Sequence, residues 1–100
     1  MVRVDMTVAT AAMTASTPSS DGYMAAMEKM HANMSMEYTG DADVDFVRGM
    51  IPHHQGAVDM AKVELAFGKD PEMRKLAENI VSSQQKEIEF TEAWLKAHGQ

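Results

Sequence analysis

Two adjacent histidines, His53 and His54, lie between Met50 and Met60 in the run Met-Ile-Pro-His-His-Gln-Gly-Ala-Val-Asp-Met. Helical residues three, four and seven apart share a face, so Met50, His53 and Met60 lie on one stripe, with His54 one turn from Met50. Pro52 has no N–H to donate and bends a helix just before the histidine pair. Two imidazoles and two thioethers gathered in this way predict a metal site.

A second set of the same side-chain types, from Met24 to Met34, is spaced for one face of an earlier helix. Laid antiparallel to the helix of the histidine pair, this face would place His31 near Met50 and Met27 near His54. Thioether and imidazole ligands suit soft ions such as Cu(I) and Ag(I), whereas Zn(II) sites usually recruit Cys or carboxylates. The predicted metal ligands are Met50, His53, His54, Met60, Met27, His31 and Met34.

The composition narrows the class of protein. The 100 residues contain 11 Met and no Cys, so disulfides, thiolate nucleophiles and Cys-based metal sites are excluded. A net charge of −6 argues against binding to nucleic acid or to an anionic membrane surface. No apolar run is long enough to cross a bilayer. One domain is expected from a chain of 100 residues.

Residues 1–20 are rich in Ala, Thr and Ser and contain no uninterrupted hydrophobic segment. Such a composition buries little apolar area, so we expect a flexible N-terminal arm followed by a helical metal-binding domain over residues 21–100. The arm is not an intact signal peptide but is similar to the part of a mature chain that remains once a signal peptide has been cleaved. We therefore expect a periplasmic or secreted protein. Met6 and Met13 in the arm are more readily explained as accidents than as extra ligands.

The remaining sequence predicts an all-α fold of three antiparallel helices, at about 21–38, 43–67 and 71–98. Gly68 ends the second helix, and Pro71 occupies the first position of the third, where its missing N–H is harmless. The predicted N-caps are Ser20 or Asp21, Asp43, and Asp70.

The second and third helices carry matching apolar seams, each interrupted by polar residues. His54 interrupts the seam of the second helix, and Gln84 and Glu87 interrupt that of the third. Folding the helices together across the Gly68 turn places these interruptions opposite each other. Because a buried polar group must be hydrogen-bonded or coordinated, we infer that Gln84 or Glu87 orients His54 or belongs to the same site.

Other functions compete with metal binding. Met at helical spacing is more often core filler than ligand, and a histidine on an apolar seam is often held only by hydrogen bonds. The main alternative is therefore a helical interaction or scaffold module with structural Met and His. A di-iron carboxylate enzyme would need paired Glu-x-x-His motifs on facing helices, and such a pair is absent, so no enzymatic activity is expected.

The pattern of the last two helices resembles the bacterial family called domain of unknown function 305, which includes periplasmic copper-binding CopM-like proteins. The matching residues are Asp43-x-x-Phe46-x-x-x-Met50-Ile51-x-His53-His54-x-x-Ala57-Val58-x-Met60-Ala61, Ala77-x-x-Ile80-x-x-x-Gln84-x-x-Glu87-Ile88 and Trp94-Leu95. The resemblance implies a ferritin-like helical bundle that binds copper or silver through Met and His, in metal tolerance or trafficking with a copper-delivery or efflux partner. Thr91 replaces a Met that family members often carry.

Three helices cover a core less completely than four, which suggests half of a bundle. The first helix also carries Met30 and Met36 away from its Met24 to Met34 stripe, so one set of Met side chains is expected to stay exposed. A second copy related by a two-fold axis would cover them, giving a homodimer. The N-terminal arm is the alternative cover.

Overall fold

The computed structural model describes residues 17–99. They form three helices, α1 (Pro18–Met34), α2 (Ala42–Phe67) and α3 (Pro71–Ala97), and no strand lies within this range. The predicted all-α, three-helix fold is confirmed. Most of the predicted arm lies outside the described residues. Its last three residues belong to α1, which begins earlier than the sequence predicted.

The three helix starts show how local hydrogen bonds set the boundaries. The hydroxyl of Thr17 accepts from the Ser20 N–H at 3.2 Å, so Thr17 caps α1 with Pro18 directly after it. Asp41 caps α2 by accepting from the N–H groups of residues 43 and 44. The predicted caps Ser20, Asp21 and Asp43 were wrong. Asp70 caps α3 as predicted.

The first helix ends at Met34 instead of continuing to Tyr38. Asp45 accounts for part of the difference, because its carboxylate accepts from the Thr39 N–H and hydroxyl, both at 2.9 Å, and from the Gly40 N–H at 3.2 Å. Gly40 has a φ of 94°, in the left-handed region that glycine adopts readily. These contacts hold residues 35–41 in a non-helical connection against the start of α2.

The α2–α3 contact follows the predicted seams. Val58 is fully buried, and Val44, Val47 and Ala61 are also buried on α2. On α3, Ala77 is buried and Met73 and Glu87 are exposed. The remaining residues of the predicted α3 seam are half-buried: Ile80, Gln84, Ile88, Thr91 and Leu95. Near the turn, the Arg74 guanidinium donates to the carbonyls of Leu65 and Gly68 at 2.8 and 3.0 Å.

The α1–α2 contact uses a different set of residues. Met30 packs directly on Gly56, where an added Cβ would lie 2.7 Å from the Met30 sulfur. Gly22 lies against Val63 in the same way, with 3.0 Å from an added Cβ to a Val63 methyl. Ala26, between these contacts, is the buried residue of α1. Glycine at these positions lets the two helices approach closely.

Helix α2 lies between the other two, which gives an open three-helix layer. Its residues against α1, such as Gly56 and Val63, point roughly 150° away from those against α3, such as His54 and Ala61, at 100° per residue. No Cα atom of α1 lies within 8 Å of one of α3 among the described residues. The layer therefore has two exposed sides.

One side, which we call the open face, is apolar. A groove on it is lined from all three helices, by Tyr23, Ala57, Met60, Ala61, Glu64, Met73, Leu76, Ala77 and Ile80. The opposite side, which we call the charged face, carries the ion pair between Lys29 and Asp59, whose nitrogen and oxygen lie 3.6 Å apart.

Candidate metal site

His54 points from α2 to α3 and is bonded to a carboxylate. Its side chain is 12% exposed, and Nε2 lies 2.5 Å from Oε1 of Glu87. The prediction that Gln84 or Glu87 orients His54 is confirmed for Glu87. The other ring nitrogen, Nδ1, is buried and has no hydrogen-bond partner among the described residues. If Nε2 carries the proton that Glu87 accepts, Nδ1 presents a lone pair, the arrangement found in metal-ligating histidines.

His53 is exposed and points elsewhere. Its ring centroid lies 6.1 Å from that of His54, with 59° between the ring planes. Pro52 lies within an α2 that runs unbroken from residue 42 to residue 67. The two adjacent imidazoles therefore lie in different surroundings: His54 faces α3, and His53 faces solvent.

The two methionines of the α2 motif lie along the open face. Met50 is half-buried in a hollow with Phe46, His54 and Glu87. Met60 is 42% exposed and lines the groove beside Tyr23. Met50 thus neighbours the buried imidazole, whereas Met60 lies nearly three helical turns further along α2, where the groove also contacts α1.

The α1 candidates lie on the surface. Met27, His31 and Met34 are all exposed. They follow Tyr23 at helical spacing, and Tyr23 lines the groove, so this stripe borders the open face.

The predicted neighbours of the α1 candidates were wrong. Met30, not His31, faces α2, and it lies at Gly56, more than one turn beyond the Met50 that the sequence placed beside His31. The physical reason is the close fit of Met30 on Gly56, together with the longer connection after α1.

His98 stacks on Trp94 with centroids 4.0 Å apart, and its Nδ1 lies 2.8 Å from the Trp94 carbonyl oxygen, so it is part of the α3 terminus. Within residues 17–99, no three His, Asp or Glu side chains converge as a metal-binding group. The sequence pattern of Asp59, Lys62 and Glu64 predicts a solvated face, but Glu64 is half-buried and lines the groove with Met60. Its position one turn after Met60 was the available signal.

The fold and these side chains define the class of protein: an open three-helix layer with Met and His side chains along one face. Residues 3–95 match the family described as Domain of unknown function (DUF305), and the chain belongs to this family. A stretch of 46 residues is 46% identical to the uncharacterized protein L153 of Acanthamoeba polyphaga mimivirus. That match covers 46% of this chain and 30% of the viral protein. No helix in the described part of the chain is long and apolar enough to cross a membrane.

Proposed function

We propose that the protein binds soft metal ions, Cu(I) or Ag(I), through Met and His side chains. The observation that carries this proposal is the environment of His54. Glu87 holds its Nε2, while its buried Nδ1 has no partner in the described residues and Met50 lines the same hollow. An imidazole nitrogen left without a hydrogen bond in a buried setting costs free energy unless something binds it.

The types of side chain available favour a soft ion. Met50 and Met60 supply thioethers, and the chain has no thiolate to compete with them. Thioether and imidazole ligands suit Cu(I), which accepts few ligands in loose geometry. The α1 residues Met27, His31 and Met34 provide further ligands at the edge of the same face.

The cellular role follows from the family resemblance. A CopM-like role in metal tolerance or trafficking, in the periplasm or outside the cell, agrees with a chain that uses Met and has no Cys. We include no catalytic step in this role, and we expect a copper-delivery or efflux protein as its partner.

An interaction module without metal is the second candidate, and the exposed apolar face favours it. The two functions differ in one simple measurement. Metal binding to the folded state raises the melting temperature by mass action, whereas a module without metal melts at the same temperature with and without Cu(I).

Anaerobic titration with Cu(I), read by native mass spectrometry, tests the proposal. The double variant Met50→Ala/His53→Ala should bind Cu(I) at least tenfold more weakly than the wild type. His54→Gln keeps a donor for Glu87 but removes the imidazole, and it should also weaken binding. His98→Ala, outside the proposed site, is the matched control and should bind normally. Wild-type affinity in both site variants would refute the proposed ligands.

A further inference from the structure

We propose that two copies of the chain pack through their open faces about a two-fold axis, and that each copper site takes ligands from both copies. In this arrangement Met50 and His53 come from one copy and Met60 from the other. The inference rests on the proposed function for its metal ligands. The proposal that two copies form a dimer depends only on the apolar open face and does not require metal binding.

The open face is too apolar to be an ordinary solvent-exposed surface. Its large exposed side chains include Leu76 at 50%, Met73 at 49%, Phe46 at 66% and Phe90 at 72%. The open-face stripe of α3 reads Met73, Leu76, Ile80, Ser83, Glu87, Phe90 and Trp94. It contains no Lys or Arg. Contiguous apolar patches of this kind mark interaction sites in soluble proteins.

The α2 stripe on the same face has the spacing of a helix that pairs with another helix. Its members alternate four and three residues apart: Phe46, Met50, His53, Ala57, Met60, Glu64 and Phe67. This is the repeat that places one seam against a partner helix. Ala57, Met60 and Glu64 line the groove, which places this seam on the open face and not against α1 or α3.

An antiparallel two-fold pairing of α2 with itself matches this seam residue by residue. With the axis midway between Ala57 and Met60, His53 lies opposite the partner's Glu64, because His53 precedes Ala57 by as many residues as Glu64 follows Met60. His53 and Glu64 are the two polar residues of the seam, so the pairing places an imidazole N–H opposite a carboxylate that can accept it. Ala57 receives the partner's larger Met60, and Met50 lies opposite the partner's Phe67.

The same register completes a metal site. The partner's Met60 lies opposite Ala57, one helical turn from His53. The partner's Glu64 can accept a hydrogen bond from one ring nitrogen of His53, which leaves the other nitrogen for the ion. A single copy has His53 and Met60 two turns apart on its surface, whereas the pair of copies brings them together.

Other occupants of the face fit less well. An anionic membrane would need Lys or Arg on the surface that docks, and neither open-face stripe contains one. Residues 1–16 contain three Met and three Val among smaller residues but no aromatic side chain, and they offer less apolar area than a second open face with its Phe46, Leu76 and Phe90. A second copy presents an apolar face of the same extent.

Sedimentation of the full chain at micromolar concentration tests the assembly. The wild type should be a dimer, and Leu76→Glu, which places a charge on the open face, should be a folded monomer. Ala93→Glu introduces the same charge at an exposed position of α3 away from that face and should leave the dimer intact. Circular dichroism confirms that each variant is helical. A monomeric wild type, as expected if residues 1–16 cover the face, would overturn the proposal.

Complementation tests whether the site is shared. His53→Ala and Met60→Ala should each lose the Cu(I) held by the shared site and keep any Cu(I) bound at His54. When the two variants are unfolded, mixed and refolded together, about half of the dimers should be mixed, each with one intact shared site, which restores about a quarter of the wild-type capacity of the shared sites. If mixing restores nothing while the wild type binds Cu(I), the site lies within one copy and the shared site is wrong. If the wild type binds no Cu(I), the proposed function fails, and the sedimentation result still decides the assembly.

Discussion

The two helices that flank α2 pack against it by different means. Helix α3 contacts α2 through a mainly apolar seam that includes the buried Val58 and Ala77 and is interrupted by the pair His54 and Glu87. Helix α1 contacts α2 through two glycines, with Met30 over Gly56 and Val63 against Gly22. The first contact depends on apolar area, and the second depends on how closely two backbones can approach. A repeat of apolar residues therefore predicts the first contact well and the second poorly.

Removing apolar volume from the α2–α3 seam should produce the largest loss of stability. Val58 is 0% exposed, so Val58→Ala removes two buried methyl groups and leaves a cavity. We expect the free energy of unfolding to fall by about 2 kcal/mol in urea denaturation. Met24→Ala is the control, because Met24 is 53% exposed and should cost less than about 1 kcal/mol. Equal losses in the two variants would show that the seam is not the main core.

Adding a methyl group at the α1–α2 contact should lower the free energy of unfolding by less than the Val58 variant does. The same substitution at a control glycine should raise it. Gly56→Ala places a Cβ 2.7 Å from the Met30 sulfur, so Met30 must move, and we expect a loss of about 1 kcal/mol. Gly49→Ala, in the same helix, meets nothing within 4 Å and should gain about 0.5 kcal/mol through helix propensity.

A double variant checks the cause of that loss. Adding Met30→Ala to Gly56→Ala removes the side chain that the new methyl meets. The cost of Gly56→Ala should then shrink in the Met30→Ala background, which a double-mutant cycle measures directly. An unchanged cost would mean that Met30 does not lie on Gly56 in solution.

The connection between α1 and α2 should give the smallest effect, and one that depends on pH. Hydrogen bonds from Thr39, chiefly its backbone N–H, and from Gly40 hold the pKa of Asp45 below its ordinary value of 3.8. A lowered folded-state pKa means that the carboxylate stabilises the fold above the unfolded pKa, and that this contribution is lost as pH falls through the folded pKa. Asp45→Asn should therefore lower stability at pH 7.

The measurement is urea unfolding at neutral and acid pH. The difference between the wild type and Asp45→Asn should narrow as the pH falls below about 3.8. Glu37→Gln changes an exposed carboxylate of the same connection and serves as the control. A gap that stays constant with pH would show that the ionised form of Asp45 contributes nothing.

The candidate site also contains one contact that the apolar repeat predicts and one that it does not. The seam that carries His54 was predictable, because a polar residue in an apolar repeat must find a partner on the facing helix, and Glu87 provides it. The surroundings of Met27 and His31 were not predictable. Their stripe looked like the packing face of α1, but Ala26 and Met30 occupy that face and leave the methionine stripe exposed.

The sequence by itself determined the number and type of helices, the α2–α3 seam, the cap of α3 at Asp70 and the Met and His side chains available along α1 and α2. These features follow from local spacing, which fixes which side chains share a helical face. The tertiary structure decided the register of α1, the Thr17 and Asp41 caps and the separate orientations of His53 and His54. It also decided that α1 and α3 lie on opposite sides of α2. Those outcomes depend on how closely particular side chains and glycines fit between helices, which spacing along one chain does not specify.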